Sequence, residues 1–153
     1  MQLVLISGLS GSGKSIALHV LEDAGYYCVD NLPATLLPPL VRQLREEGYE
    51  RVAVAIDVRA GASIAALPQQ LRDLQAMGVP TRFVFLEARE ETLIARFSET
   101  RRGHPLSNED TTLAEAIVRE RAMLENVAGL GNRIDTSSLN PNALRNWILD
   151  FVQ

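Results

Sequence analysis

Lysine and cysteine are almost missing from this sequence. Lys14 is the only lysine among 15 basic residues, and Cys28 is the only cysteine. A single cysteine excludes an internal disulfide, and its Tyr-Cys-Val setting favours a buried strand thiol over a reactive one. Because the other 14 basic residues are arginines, any basic patch would consist of guanidinium groups, which suit bidentate phosphate contacts. Lysine at one position only marks that position as one where a flexible point charge is wanted.

Long apolar runs and a charged leader are missing as well. No apolar run approaches the length of a membrane span, and the sequence begins directly with strand-forming residues. These features predict no membrane partner and favour the cytoplasm. With 19 acidic and 15 basic residues, the net charge is −4. This charge argues weakly against extended binding of nucleic acid by this segment alone. The length of 153 residues and the hydrophobic content of 46% predict a single globular domain over residues 1–153.

One stretch near the start matches the pattern G-x-x-x-x-G-K-[ST] at every fixed position. It reads Gly8-Leu9-Ser10-Gly11-Ser12-Gly13-Lys14-Ser15 and lies between a predicted strand (3–6) and a predicted helix (16–21). Glycines let the backbone wrap closely around an anion, so that successive N–H groups point at phosphates. We expect Lys14 to reach the β- and γ-phosphates and the Ser15 hydroxyl to ligate Mg²⁺. An ordinary Gly/Ser turn is disfavoured because the strand and the helix occur in the required order.

Strand and helix patterns alternate along the rest of the chain. Further strands are predicted at 26–29, 51–56, 81–86 and 132–135. Helices are predicted at 32–44, with Pro38-Pro39 breaking or delaying the start, and at 62–77, with a disturbance at Pro68. Three more are predicted at 90–100, at 113–127 after a capping box of Thr112 and Glu115, and at 141–152. This alternation predicts an α/β fold in which helices cover both faces of a five-stranded parallel sheet.

Aspartates follow two of the predicted strands, at the edge where ligands gather in parallel sheets. Asp57 closes an apolar strand and is predicted to hold Mg²⁺ through water, opposite Ser15. Asp30 has the same placement one strand earlier. There it is predicted either to accept the proton of an attacking hydroxyl or to serve only in a turn and helix cap.

The segment after the fourth predicted helix carries further candidates, each with two interpretations. Arg96, Arg101 and Arg102 either neutralise charge on a transferring phosphoryl group as part of a mobile lid, or complement the dipole of the helix C-terminus. We favour phosphate contact because two arginines are adjacent and a third is near. His104 is either a catalytic residue or, more often for a lone loop histidine, a solvated or turn residue.

Four motifs together closely resemble the bacterial RapZ family, the RNase adapter proteins. They are the glycine loop, Gly-Tyr-Tyr-Cys-Val-Asp-Asn-Leu-Pro at 25–33, Asp57-Val58-Arg59, and Ser-Glu-Thr-Arg-Arg-Gly-His-Pro-Leu at 98–106. The resemblance runs from residue 3 almost to the end of the chain. The glycine loop is shared by a whole superfamily, whereas the second and fourth motifs are much more particular to this family.

The resemblance implies a P-loop NTPase-type domain of three α/β/α layers, similar in fold to nucleoside and shikimate kinases. Such a domain binds ATP and GTP and hydrolyses them slowly. Residues Gly8 to Ser15 would hold ATP, and Asp57-Val58-Arg59-Ala60 are assigned to GTP, with Ala60 standing where many relatives carry Asn. Lys14, Asp57 and Asp30 are the expected catalytic residues.

The family presents a small regulatory RNA to a ribonuclease through a further C-terminal domain credited with RNA binding. That domain lies outside this chain, so RNA and the ribonuclease are expected partners of the full-length protein, which could also form homo-oligomers. Three readings follow: a nucleotide-responsive regulatory domain, a small-molecule kinase with Asp30 as base, and a P-loop module in which nucleotide only stabilises the fold. The first is preferred because the segment 30–39 is rich in Leu and Pro and short of polar groups for binding an acceptor.

Overall fold

A parallel sheet forms the centre of the computed structural model, which describes residues 1–100 and 102–153. Its strands are β1 (Gln2–Gly8), β2 (Tyr27–Val29), β3 (Arg51–Ala55), β4 (Thr81–Glu87) and β5 (Asn132–Asp135). They are ordered β2-β3-β1-β4-β5, and every neighbouring pair is parallel. The carboxyl ends of all strands therefore meet at one edge of the sheet, as the sequence predicts.

Helices connect the strands and cover the sheet. They are α1 (Lys14–Asp23), α2 (Leu37–Glu46), α3 (Leu67–Ala76), α4 (Glu90–Thr100), α5 (Leu113–Met123), α6 (Glu125–Ala128) and α7 (Pro141–Phe151). The predicted capping box at the start of α5 is confirmed, because the Thr112 hydroxyl accepts a hydrogen bond from the Glu115 N–H at 3.1 Å. The described residues include no helix that is both long enough and apolar enough to cross a membrane.

Several predicted helices have different bounds in the structure. The helix predicted at 62–77 begins only at Leu67, because Pro68 has no N–H and is tolerated in the first turn rather than the interior. The preceding Val58–Ala66 forms 3-10 turns that are interrupted at Gly61, where φ is +62°. The helix predicted at 113–127 divides at Leu124 into α5 and α6. The delay predicted for Pro38-Pro39 is confirmed, since both prolines lie in the first turn of α2.

Alternation along the central strand β1 divides the core into two clusters. Leu3 and Leu5 pack into a cluster that includes apolar residues of α2, α3, α5 and α6. Val4 and Ile6 pack on the opposite face, against α1 and α7. Successive side chains of a strand point to opposite faces, so β1 is buried from both sides. The predicted three-layer α/β/α architecture is confirmed.

Candidate functional site

The glycine loop joins β1 to α1, and its backbone has a shape that only glycine allows at two points. Gly8 has a φ of +152°, and a Cβ there would lie 2.3 Å from the Leu86 carbonyl oxygen of β4. Gly13 has a φ of +114°, and a Cβ would lie 2.5 Å from Cδ2 of Leu144 in α7. A side chain at either position meets both a steric clash and an unfavourable φ. The loop therefore approaches both neighbouring elements closely.

Lys14 is the first residue of α1, and its side chain reaches back over the glycine loop. Its ammonium group donates to the carbonyl oxygens of Gly8, at 2.9 Å, and of Leu9, at 3.0 Å. Burial lowers the pKa of Lys14, and the negative charges of Glu120 and Asp57 offset this only in part. A charge that has lost its water is stabilised by a nearby anion, so a phosphate group in the loop would relieve this cost.

Asp57 follows β3 and faces the same region. Its side chain is 2% exposed, and both carboxylate oxygens accept hydrogen bonds from Arg59, with Nη2 at 2.5 Å from Oδ2. Burial acts to raise the pKa of Asp57, but the hydrogen bonds from Arg59 and the charge of Lys14 outweigh it and leave the pKa below its usual value. Asp57 is therefore an ionised carboxylate held by a neighbouring guanidinium group.

One cavity of about 280 Å³ joins these groups. Its lining residues come from the glycine loop, from the end of β3 and from α4 with the segment that follows. Those with polar side chains are Ser10, Lys14, Ser15, Asp57, Arg59, Arg96, Thr100 and Arg102. The structure thus brings together the predicted residues Lys14, Ser15, Asp57, Arg59 and Arg102. Among the described lining residues Asp57 is the one carboxylate, so cations predominate in this cavity.

Other predicted residues lie elsewhere. The side chains of Leu9 and Val58 are buried in the core, and Ala60 packs against it. Asp30 is exposed and is not among the residues that line the cavity, although its negative charge acts on Lys14 and Arg59. Arg101 lies outside the described residues.

Arg96 links the glycine loop to the end of β5. It donates to the carbonyl oxygen of Gly11 at 3.0 Å and to the Thr136 hydroxyl and carbonyl at 3.1 and 2.6 Å. The Thr136 hydroxyl in turn donates to the Ser12 carbonyl at 2.7 Å. Arg96 therefore does more than complement a helix dipole. It also lines a second cavity of about 110 Å³, between the loop and the residues after β5. Thr136 was not predicted from the sequence, although it directly follows a predicted strand.

His104 is buried, so the interpretation of a solvated residue is wrong. It does lie in a turn, since its carbonyl oxygen accepts from the Ser107 N–H at 2.9 Å. The residue is 4% exposed, and its Nε2 lies 3.0 Å from Oε1 of Glu120 in α5. Glu120 was also missed. Its helical spacing from Ile117 and Leu124 puts a carboxylate on the face of α5 that the sequence predicts to be buried, and that signal was available.

The oxygen ligands in this cavity suit a magnesium ion that is bound together with a phosphate group. The Ser15 hydroxyl and the Asp57 carboxylate line the same cavity, and oxygen ligands are those that Mg²⁺ prefers. The described residues contain no group of three or more His, Cys, Asp or Glu placed to hold a metal by themselves. Mg²⁺ is commonly held by one or two protein ligands together with phosphate oxygens, so two protein ligands are sufficient. Arg59 would have to release at least one oxygen of Asp57.

Comparison with known proteins decides the family. The family model of the RapZ-like N-terminal domain matches residues 1–153. The chain belongs to this family. A protein of Aromatoleum aromaticum named as a nucleotide-binding protein is 66% identical over 152 residues, which cover 99% of this chain and 52% of that protein. A protein of Azoarcus sp. with the same description has the same identity and coverage. The chain thus spans about half the length of these relatives, and the resemblance seen in its motifs is confirmed.

Solved structures with similar folds include P-loop kinases. The tunicamycin resistance protein of Deinococcus radiodurans has a TM-score of 0.69 at 16% identity, covering 99% of this chain and 95% of that one. A sugar kinase of Janibacter sp. has a TM-score of 0.63 at 19% identity, with coverages of 99% and 94%. Shikimate kinase of Bacteroides thetaiotaomicron has a TM-score of 0.61 at 12% identity, with coverages of 97% and 94%. At these identities the likeness shows the fold alone, and the predicted kinase-like fold is confirmed.

Proposed function

We propose that residues 1–153 form a nucleotide-binding regulatory domain that takes up Mg-ATP or Mg-GTP at the glycine loop and hydrolyses it slowly. The observation that carries this proposal is the single cavity shared by Lys14, Ser15 and Asp57. The start of α1, Lys14, Arg59 and Arg102 place positive charge around the cavity, which complements a polyphosphate. The relatives that are named as nucleotide-binding proteins support the same assignment.

Each residue has a role in this proposal. Lys14 binds the β- and γ-phosphates, and Ser15 and Asp57 hold Mg²⁺, which when bound neutralises charge on the phosphate oxygens. Arg59, once released from Asp57, and the pair Arg101-Arg102 add positive charge around the terminal phosphate. The segment 57–60 thus contributes at the phosphate end, where Val58 and Ala60 have only backbone groups to offer. The nucleobase occupies the smaller cavity, which shares Arg96 with the larger one.

Slow turnover agrees with the groups around the cavity. Asp57 is the one carboxylate among its described lining residues, and Arg59 binds both of its oxygens when no nucleotide is present. With nucleotide bound, Asp57 in this proposal holds Mg²⁺ instead, so the carboxylate faces a cation in both states. An ion-paired carboxylate is a poor general base, because the pairing lowers its affinity for a proton. A bound nucleoside triphosphate would therefore persist, as a regulatory ligand must.

The regulatory role belongs to the longer protein. Family membership supports an RNase adapter that acts in the cytoplasm on a small regulatory RNA, with RNA and ribonuclease contacts mainly in a C-terminal domain beyond this chain. A net charge of −4 agrees with a half that does not itself hold RNA. In this proposal the nucleotide state of residues 1–153 biases the partner domain, a partner protein or the homo-oligomer.

Calorimetry on wild type and Lys14→Ala tests the nucleotide site. Removing one charge-assisted contact to phosphate should weaken Mg-ATP and Mg-GTP binding by about 2 kcal/mol or more, which is at least thirtyfold in Kd. Arg145→Ala is the control, because Arg145 is an exposed cation of α7 whose guanidinium group bonds Asn142. Equal affinity of wild type and Lys14→Ala would reject Lys14 as a ligand.

A small-molecule kinase is the second candidate, favoured by the kinase fold and by Asp30, whose charge acts on Lys14 from the end of β2. Against it, the neighbouring segment presents Leu36 with 50% exposure instead of polar groups that would bind an acceptor. Nucleotide turnover measured with and without a panel of phosphorylatable metabolites separates the two. We expect no metabolite to increase turnover. Large stimulation by one of them, lost in Asp30→Asn, would overturn the regulatory reading.

A further inference from the structure

Glu120 of α5 is a fully buried carboxylate to which the proposed nucleotide chemistry gives no role. Glu120 is 0% exposed. Three hydrogen-bond donors surround its carboxylate. Oε1 accepts from the Ser10 N–H at 2.8 Å and lies 3.0 Å from Nε2 of His104. Oε2 accepts from the Ser10 hydroxyl at 2.5 Å. Burying a carboxylate costs free energy unless hydrogen bonds such as these compensate it. Removing one donor leaves the buried charge less well compensated and so destabilises the arrangement that holds the other donors.

The imidazole of His104 is fixed in one tautomer. The Leu106 N–H donates to Nδ1 at 3.0 Å, so Nδ1 carries no proton and Nε2 carries the one that is donated to Glu120. The ring cannot exchange these roles without losing both bonds. His104 therefore attaches its segment to Glu120 with a defined orientation.

The two segments that Glu120 holds are separate walls of the phosphate cavity. Ser10 belongs to the glycine loop and lines the cavity. Arg102, Gly103 and Pro105 line it as well, while His104 between them in the sequence is buried against Glu120. The charge of Glu120 also acts on Lys14 and on Arg59. One carboxylate thus bonds both segments and influences two cations that line the same cavity.

We propose that Glu120 is a positioning residue that couples the glycine loop to the segment 102–106, so that loosening either wall loosens the other. Glu120 itself does not contact the ligand. The proposal rests on the proposed function, because a coupled cavity affects ligand binding only where a polyphosphate is held.

Hydrogen exchange and calorimetry on variants of His104 test the coupling. In His104→Leu, which removes the donor, the Ser10 amide should exchange about tenfold faster and Mg-ATP affinity should fall about tenfold, although the new side chain would touch neither the amide nor the nucleotide. His104→Gln keeps an N–H donor at a similar reach and should stay within about threefold of wild type. The control is His19→Leu at the other histidine, which is exposed on α1 and should change neither quantity. Unchanged Ser10 exchange in a folded His104→Leu would overturn the proposal.

Two further measurements do not depend on a His104 variant. Ser10→Ala should accelerate exchange of the Leu106 amide, which reports on His104 through Nδ1. In wild type, the Ser10 and Leu106 amides should share one opening free energy and one dependence on denaturant. Independent opening of the two amides would contradict the coupling even if every variant failed to fold.

The results also separate this proposal from the proposed function. If wild type binds neither Mg-ATP nor Mg-GTP, the nucleotide-binding function is rejected, and the exchange data still decide whether the walls are coupled. If wild type binds Mg-ATP while Ser10 and Leu106 open independently, the coupling is rejected and the nucleotide site stands.

Discussion

The two central cations of the cavity already have partners within the chain. Lys14 donates to the carbonyl oxygens of Gly8 and Leu9, and Arg59 is paired with Asp57. A polyphosphate must therefore replace contacts as well as form them, and Mg²⁺ must compete with Arg59 for Asp57. The affinity measured for a nucleotide is the difference between the new contacts and those that are given up.

The lowered pKa of Lys14 predicts proton uptake on binding. Burial holds this pKa below the usual 10.5, so the free protein loses the Lys14 proton as pH rises through the lowered value. Phosphate contact favours the charged amine, and nucleotide affinity should therefore fall as pH rises through the lowered pKa towards 10.5. The same shift means that charged Lys14 costs stability without ligand below the lowered pKa, a cost relieved as pH rises. Calorimetry in buffers of different ionisation enthalpy measures the uptake.

Lys14→Arg is the control for this pH dependence, because arginine stays charged over the whole range. If Lys14→Arg folds and binds nucleotide, its affinity should not show the alkaline fall. No proton uptake by wild type on the alkaline side, or an equal fall in both proteins, would show that Lys14 does not titrate in the site.

Local sequence patterns predict the residues of the glycine loop and Asp57, but not the distant residues that hydrogen-bond to the loop. The loop pattern fixes eight neighbouring residues, and Asp57 is marked by the apolar strand before it. Glu120 bonds Ser10 from 110 residues away, and Thr136 bonds Ser12 from 124 residues away. Spacing along the chain carries no information about such partners. A carboxylate on a predicted buried face is the one local signal for Glu120, and it does not indicate what the carboxylate binds.

At the scale of elements, the site depends on how closely the glycine loop approaches β4. Gly8→Ala should destabilise the protein by several kcal/mol, because the new Cβ would lie 2.3 Å from a backbone oxygen of Leu86. Gly48→Ala is the matched control, since Gly48 also has a positive φ, of +89°, but a Cβ there meets nothing within 4 Å. Its cost should be about 1 kcal/mol. Urea unfolding of both variants measures the loss in free energy of unfolding. Equal losses would show that the close approach of Gly8 to Leu86 does not affect stability.

Helices and strands could be predicted where apolar periodicity was uninterrupted. The bounds of α4 and β5 agree with those predicted, because each is limited by a clear change in residue type. The predicted start of α3 was wrong because Ala62, Ile64, Ala65 and Ala66 continue the apolar pattern backwards through 3-10 turns. Proline fixes where a helix starts more strongly than hydrophobic spacing does, and Pro68 decided this case.

At the scale of the whole molecule, the strand order places the site. β1 lies between β3 and β4, so its carboxyl end is flanked on one side by Asp57 and on the other by the strand that leads into α4 with Arg96. The alternation of strands and helices predicted a parallel sheet with ligand groups at one edge. The order of the strands depends on pairings between distant segments, and the sequence alone did not predict it.

A crystal structure of the protein with Mg²⁺ and a non-hydrolysable analogue of ATP or GTP would show whether the glycine loop holds a nucleotide. We expect the triphosphate to lie in the loop formed by residues 8–15, with Nζ of Lys14 turned from the Gly8 and Leu9 carbonyls to phosphate and the metal between Ser15 and Asp57. A nucleotide bound elsewhere, or a loop that presents carbonyl oxygens to the cavity while Lys14 keeps its present partners, would contradict this expectation.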